Sequence, residues 1–316
     1  MGIAFTFPGQ GSQAVGMGKA LAEAFPAARA VFAEVDGALS QKLSALMWEG
    51  PEAELTLTAN AQPALMAVSM AVIAVLQAEH GISIGNTAKF VAGHSLGEYS
   101  ALAAAGTFSL HNTAKLLRIR GLAMQAATPV GIGAMAAILG LDFADVAALA
   151  ADAAQGDVCQ AANDNSSGQV VISGHKAAVD RACELAKVRG AKRAILLPVS
   201  APFHCALMQP AADAMAEALM AVAMQAPAVP LIANVVAGPV SDPAEIRKRL
   251  VEQVTGTVRW RECVGFMAAN GINLFCEVGT GKVLTGLLKK NAPEAQGVAL
   301  GSPDDVAAAA ALLKQG

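Results

Sequence analysis

Charge is scarce in this chain. Of its 316 residues only 15% are charged, and 22 basic against 25 acidic side chains leave a formal net charge of -3. A polyanion therefore meets no global attraction, which excludes a nucleic-acid-coating protein and leaves any acidic partner to a local basic patch. Cysteine is sparse and unpatterned. The five (Cys159, Cys183, Cys205, Cys263 and Cys276) are odd in number and contain no CxxC pair. Neither a disulfide framework nor a zinc site is encoded, which predicts a reducing, cytoplasmic home and no metal. Long apolar runs are also missing: the longest, Ala64 to Leu76, is 13 residues and holds Ser69. It is too short to span a bilayer and predicts a buried helix. No basic stretch precedes an apolar one at the start, so no secretory leader is expected. Met1-Gly2 with Thr6 matches a myristoylation pattern, but a buried first strand over Ile3 to Phe7 would hide Gly2.

Hydrophobic residues, at 54%, are abundant enough for a large core. Strand patterns at Ile3 to Phe7, Phe90 to Ala92, Leu231 to Val236, Leu274 to Val278 and Val298 to Leu300 alternate with helical ones. Helical patterns are expected over about Met17 to Ala38, with helices over Asn60 to Glu79, Leu110 to Ala126 and one from about Asp304. That alternation predicts an α/β protein with a parallel sheet covered on both faces. Between about 129 and 199 the order changes to βαββαβ, the ferredoxin-like split unit, with strands at Met135 to Leu139, Val158 to Ala162, Val170 to Ser173 and Ala194 to Val199 and helices at Phe143 to Ala154 and Ala177 to Val188. It is flanked by Pro129 and Gly131 on one side and by Pro198 and Pro202 on the other. The expected division is a large α/β domain of 1–128 and 200–316 with an insert of 129–199.

The segment Gly93-His94-Ser95-Leu96-Gly97 falls between an apolar strand pattern and a helix-forming run, the setting of a G-x-S-x-G nucleophile elbow. A serine hydroxyl needs a base within hydrogen-bond reach. Five histidines could supply it. His80 ends a long helix, where the dipole favours it, and His111 and His175 open helices among polar neighbours. His94 adjoins the serine but points elsewhere on a tight turn. His204 lies after a strand and before a helix, where open α/β sheets place active-site residues. The turn Phe7 to Gln13 lacks the Lys-Ser/Thr ending of a phosphate loop. Its backbone N–H at Gln10, with that of Leu96, could instead form an oxyanion hole. Arg120, in a largely apolar helix, either pairs with an acidic neighbour or grips a carboxylate in a bidentate fork.

The segments FPGQGSQ (Phe7 to Gln13), GHSLGEYSAL (Gly93 to Leu102), IRGLAMQ (Ile119 to Gln125), GQVVISG (Gly168 to Gly174), VSAPFHCALM (199–208) and LVEQ (Leu250 to Gln253) occur in this order. Together they span nearly the whole chain, which resembles the malonyl-CoA:acyl carrier protein transacylases of dissociated (type II) fatty acid synthesis. The resemblance implies an α/β-hydrolase-like large domain with a ferredoxin-like insert. It implies Ser95 as nucleophile and His204 as general base, with the backbone N–H groups of Gln10 and Leu96 as oxyanion hole. Arg120 then pairs with the malonyl carboxylate, and the main-chain carbonyl of Gln253 orients the histidine in place of an acid. Ping-pong transfer from malonyl-CoA to the phosphopantetheine thiol of an acidic acyl carrier protein is expected, by a monomer with no bound cofactor. In related polyketide acyltransferases a bulky residue before the histidine goes with malonyl, so Phe203 implies malonyl over methylmalonyl.

Three rivals stay open on sequence alone: a serine hydrolase releasing free acid, a polyketide acyltransferase serving another carrier, and an inactive carrier-docking protein. Lys89, Lys115, Lys187, Arg189, Lys192 and Arg193 are candidates for a basic carrier-binding surface.

Overall fold

The computed structural model describes residues 2–199 and 201–314; Met1 of the lipidation pattern, Ser200 at the expected domain junction, Gln315 and Gly316 lie outside them. Ten strands are formed among the described residues: β1 (Ile3–Phe7), β2 (Phe90–Gly93), β3 (Gly133–Leu139), β4 (Cys159–Ser166), β5 (Gln169–His175), β6 (Arg193–Leu196), β7 (Leu231–Ala233), β8 (Gly238–Val240), β9 (Leu274–Val278) and β10 (Gln296–Leu300). They make a six-stranded sheet in the order β10-β9-β1-β2-β7-β8 and a four-stranded sheet in the order β4-β5-β3-β6. The large sheet is parallel apart from β8, which returns antiparallel to β7. Every residue of β1 and β2 is buried, as expected of strands covered by helices on both faces. Phe5 and Phe7 pack into one core and Ala4 into a second on the other side of the sheet.

The small sheet is antiparallel throughout. Its side chains divide by the two-residue strand period. Ala136, Ile138, Val170 and Ile172 pack under the helices Phe143–Ala154 and Lys176–Val188. Met135 and Val171 point the other way and join the large core. The α/β class with two sheets, one parallel-rich and one antiparallel, agrees with the pattern in the sequence.

The helix Thr58–His80 contains the apolar run Ala64 to Leu76 and passes through the large core. It is the one helix among the described residues long and apolar enough to cross a membrane, and it is mostly buried inside the protein. Some elements differ from expectation: the strand expected over Leu231 to Val236 stops at Ala233, and β8 follows it. The helical patterns over Met17 to Ala38 resolve into two helices, Lys19–Ala24 and Pro26–Leu39. Pro26 opens the second and holds Phe25 extended, at φ -126° and ψ 125°. The strand expected over Ala194 to Val199 stops at Leu196, because Pro198 has no N–H to donate to a ladder. The strap Leu197–Val199 leaves the sheet and lines a cavity instead.

Candidate active site

Ser95 stands two residues beyond the end of β2, with φ of 54°, and the helix Gly97–Ala104 begins two residues later. So sharp a turn needs small residues on both sides. A Cβ on Gly93 would lie 1.8 Å from the carbonyl carbon of Gly97, and one on Gly97 would lie 2.2 Å from the carbonyl oxygen of Phe7. Asn234, at the end of the neighbouring strand β7, clamps the turn. Its Oδ1 accepts the Ser95 N–H at 2.9 Å and its Nδ2 donates to the Gly93 carbonyl at 2.8 Å.

His204 reaches Ser95 from beyond the small sheet. Its Nε2 lies 2.7 Å from Ser95 Oγ, and its Nδ1 donates to the Gln253 carbonyl at 2.8 Å. That carbonyl is free because Gln253 sits in the last turn of the helix Pro243–Thr255, where the final four carbonyls lack intrahelical partners. A proton fixed on Nδ1 leaves the Nε2 lone pair facing the serine. His204 is buried and also has positive φ, 58°. Burial, helped by the charge of Arg120, lowers its pKa to about 3, so the free imidazole is neutral.

Arg120 lies on the helix Leu110–Ala126 and is 1% exposed. Its Nη1 donates to Gln62 Oε1 at 2.8 Å; its Nη2 donates to Gln253 Oε1 at 2.8 Å and to Ser95 Oγ at 3.1 Å. The guanidinium also stands 5.7 Å from the centroid of the Tyr99 ring. No carboxylate among the described residues comes within 4.0 Å of it. The acidic-neighbour alternative is thus not what this residue adopts. A buried cation held by neutral oxygens alone keeps much of its desolvation cost, and burial lowers the Arg120 pKa accordingly. Gln62 is itself aligned: its Nε2 donates to Thr58 Oγ1 at 2.9 Å, and that hydroxyl donates to Gln10 Oε1 at 2.8 Å.

Gln10, Ser95, Leu96, Arg120 and His204 line one cavity of about 510 Å³, which Met135, Asn163, Phe203 and the strap Leu197–Val199 close from the small sheet's side. Gln253 is fully buried beneath them. The six residues singled out in the sequence therefore converge. His94 borders the same cavity, but its Nε2 is 2.8 Å from Asn165 Oδ1 and away from the serine–histidine pair. His175 accepts the Val158 N–H through Nδ1 within the small domain. No group of three or more metal-ligating side chains is found among the described residues.

Three participants escaped the sequence reading. Gln62 carried a signal, a polar residue on the buried face of an apolar helix. Asn234 stood at a strand end, and Glu98 lay inside the elbow motif but reads there as an ordinary helix-opening acid. Glu98 is 1% exposed, and burial pushes its carboxyl up to about 8 against the pull of the Asn234 N–H, the Gln253 amide and the Arg120 charge.

The arrangement, a serine between a neutral imidazole and a guanidinium that lacks a carboxylate, suits acyl chemistry on an anionic acyl group. Known proteins agree. Residues 4–307 match the acyl transferase domain family. The chain is 48% identical to a malonyl CoA-acyl carrier protein transacylase of Bacillus subtilis over 99% of its length and 98% of the relative. It is 47% identical to its namesake in Escherichia coli K12, over 97% and 98%. Among solved structures, an acyl-carrier-protein S-malonyltransferase from Bartonella henselae superposes with a TM-score of 0.97 at 60% identity, covering 99% of this chain and 100% of that one. A malonyl-transacylase solved in complex with a type II polyketide acyl-carrier protein superposes with a TM-score of 0.95 at 42% identity, covering both chains fully. The chain belongs to the acyl transferase domain family, among the malonyl CoA-acyl carrier protein transacylases.

Proposed function

We propose that this protein moves the malonyl group of malonyl-CoA to the phosphopantetheine thiol of an acyl carrier protein by way of a malonyl ester on Ser95. The observation that carries this reading is that one oxygen, Ser95 Oγ, stands 2.7 Å from His204 Nε2 and 3.1 Å from Arg120 Nη2. In malonyl the thioester carbonyl and the carboxylate are separated by a single methylene. A nucleophile adjoining a guanidinium fits both ends at once.

His204 Nε2 takes the Ser95 proton as Oγ attacks the thioester carbonyl. The backbone N–H groups of Gln10 and Leu96 hold the developing oxyanion. Collapse expels the thiolate of coenzyme A, which receives the proton from the imidazolium, and leaves the ester. The carrier thiol then gives its proton to His204 Nε2 and attacks that ester. A second collapse returns the proton to Ser95 and completes a ping-pong cycle. Gln253, through its carbonyl, keeps the imidazole in the required tautomer. Arg120 exchanges neutral glutamine oxygens for the malonyl carboxylate, a charge-assisted pairing. Because the Arg120 charge is one cause of the low His204 pKa, neutralising it raises the basicity of the imidazole when the correct acyl group arrives.

In this reading residues 129–199 are an inserted domain roofing the cavity, and 1–128 with 200–316 carry the catalytic groups. The enzyme is a cytoplasmic monomer without a bound cofactor, supplying fatty acid elongation. Of the candidate basic residues, Lys187 and Arg189 are paired with Glu184 and Asp152, and Lys89 donates to the Asn270 carbonyl. Lys192 and Arg193 are exposed and no ion pair holds them among the described residues, which favours them for an acidic carrier.

Intact-protein mass spectrometry after brief mixing with malonyl-CoA tests the proposal. A malonyl adduct that is absent from Ser95→Ala and discharges onto added holo acyl carrier protein is expected. Stable malonyl-CoA with no adduct overturns it, and accumulation of free malonate makes the protein a hydrolase. Comparing fatty acid and polyketide carriers as acceptors separates those two roles.

A further inference from the structure

Glu98 touches none of the reacting atoms, yet it is bonded to what holds them. Oε1 accepts the main-chain N–H of Asn234 at 2.5 Å, and Oε2 accepts Gln253 Nε2. Both oxygens accept, and these two donors oppose the burial that pushes the carboxyl up. Gln253 Nε2 donates in addition to the Ser95 carbonyl at 2.8 Å. Two acceptors on the nitrogen side leave the Gln253 amide one orientation, with Oε1 toward Arg120 Nη2 at 2.8 Å. The reverse orientation would set an NH2 group against a guanidinium, which has only donors to offer.

We propose that Glu98 is a positioning residue for acyl-group selection, which fixes the Gln253 amide and thereby aims the Arg120 guanidinium at the malonyl carboxylate. The inference rests on the malonyl-transfer reading and deepens it. Glu98 also keeps its carboxyl across Gln253 from Arg120 instead of against it. The guanidinium is thus held by neutral oxygens that a substrate carboxylate can displace, whereas a carboxylate in direct contact would compete with the substrate. Aiming and vacancy come from the same relay.

Glu98→Gln tests the relay with little change of shape. The Asn234 N–H belongs to the main chain and cannot be reversed, so the new amide must keep its oxygen there and turn its NH2 onto Gln253. Gln253 must then flip or shift, and Arg120 loses the Gln253 acceptor. Rates of Ser95 acylation are measured by mass spectrometry with malonyl-CoA and with p-nitrophenyl acetate, a neutral ester that reports on the Ser95–His204 pair alone. The malonyl rate is expected to fall at least about tenfold, the fold-change of losing a hydrogen bond to a charged group, while the neutral ester changes less than about threefold. Equal losses with both donors, or an unchanged ratio, overturn the inference. Should Glu98→Gln fail to fold, Gln253→Leu keeps the carbonyl that orients His204 and removes the amide. The same drop in ratio is expected there, and an unchanged ratio overturns the relay. A wild type that forms no malonyl adduct rejects the transfer reading and the inference together. A malonyl-competent wild type whose variant keeps the ratio rejects the role of Glu98 alone.

Discussion

Ser95 Oγ and His204 Nε2 stand 2.7 Å apart although 109 positions separate them in the chain, and both residues have positive φ. Non-glycine residues adopt that backbone region at a cost, and functional sites are where such cost is retained. Here it aims two side chains from different loops at one point.

Removing either member should abolish or cripple acylation in distinguishable ways. Ser95→Ala is expected to give no malonyl adduct. His204→Ala should slow adduct formation by about 10²–10⁴-fold, the usual worth of a positioned base. Time-resolved mass spectrometry with malonyl-CoA reads both; a histidine variant as fast as wild type would exclude His204 as the base.

Arg120→Ala should exchange one selectivity for another. A carboxylate facing a desolvated guanidinium loses about 2–5 kcal/mol when the partner is truncated. The malonyl-CoA rate should therefore fall at least about thirtyfold, while acetyl-CoA, which leaves Arg120 unpaired in the wild type, should be used no worse. A parallel fall in both rates would remove the carboxylate role.

The pH profile follows from the sign of the His204 shift. An ordinary histidine gains its proton near 6.5, but this one, lowered to about 3 by burial and by Arg120, stays neutral well below that. Single-turnover acylation by p-nitrophenyl acetate, which reports on the Ser95–His204 pair, should be flat from pH 8 to about 5.5, with the acid limb displaced downward. A limb centred near 6.5 to 7 would mean that the imidazole titrates as an exposed one.

The elbow tolerates no added methyl group. In Gly97→Ala the new Cβ would fall 2.2 Å from the Phe7 carbonyl oxygen, and β1 and the helix would have to part. We expect destabilisation above about 4 kcal/mol, in the range reserved for broken core geometry. Thermal unfolding of the purified variant measures it, and a transition within a few degrees of wild type would show that the turn can yield.

Phe203 borders the cavity beside His204 and is 8% exposed. The wild type should favour malonyl-CoA over methylmalonyl-CoA. Phe203→Ser should narrow that preference by opening room for the branch. Competition between the two donors, read as the ratio of adduct masses, checks it; a wild type faster with methylmalonyl-CoA would contradict the reading.

Much was determined by local sequence. The helices Leu110–Ala126 and Phe143–Ala154 and the strand Leu274–Val278 fall where periodicity set them, because apolar spacing is written residue by residue. The elbow was legible for the same reason: strand, glycine, serine, glycine and helix are consecutive. Breaks were harder to read. Pro26 placed the break within the helical stretch Met17 to Ala38 and Pro198 ended an expected strand, since a missing N–H matters only once the neighbouring bonds are specified.

What the tertiary structure alone decided is who meets whom. No spacing in the chain makes Gln253 a partner of His204, Arg120 and Glu98 at once, or chooses two glutamines over an acid for a buried arginine. Such contacts join groups far apart in sequence. They depend on where the parallel strands set β2 and β7 side by side and on how the small sheet folds back over them. Residue type fixes what a side chain can donate or accept; only packing decides which donors and acceptors share the space from which water is excluded.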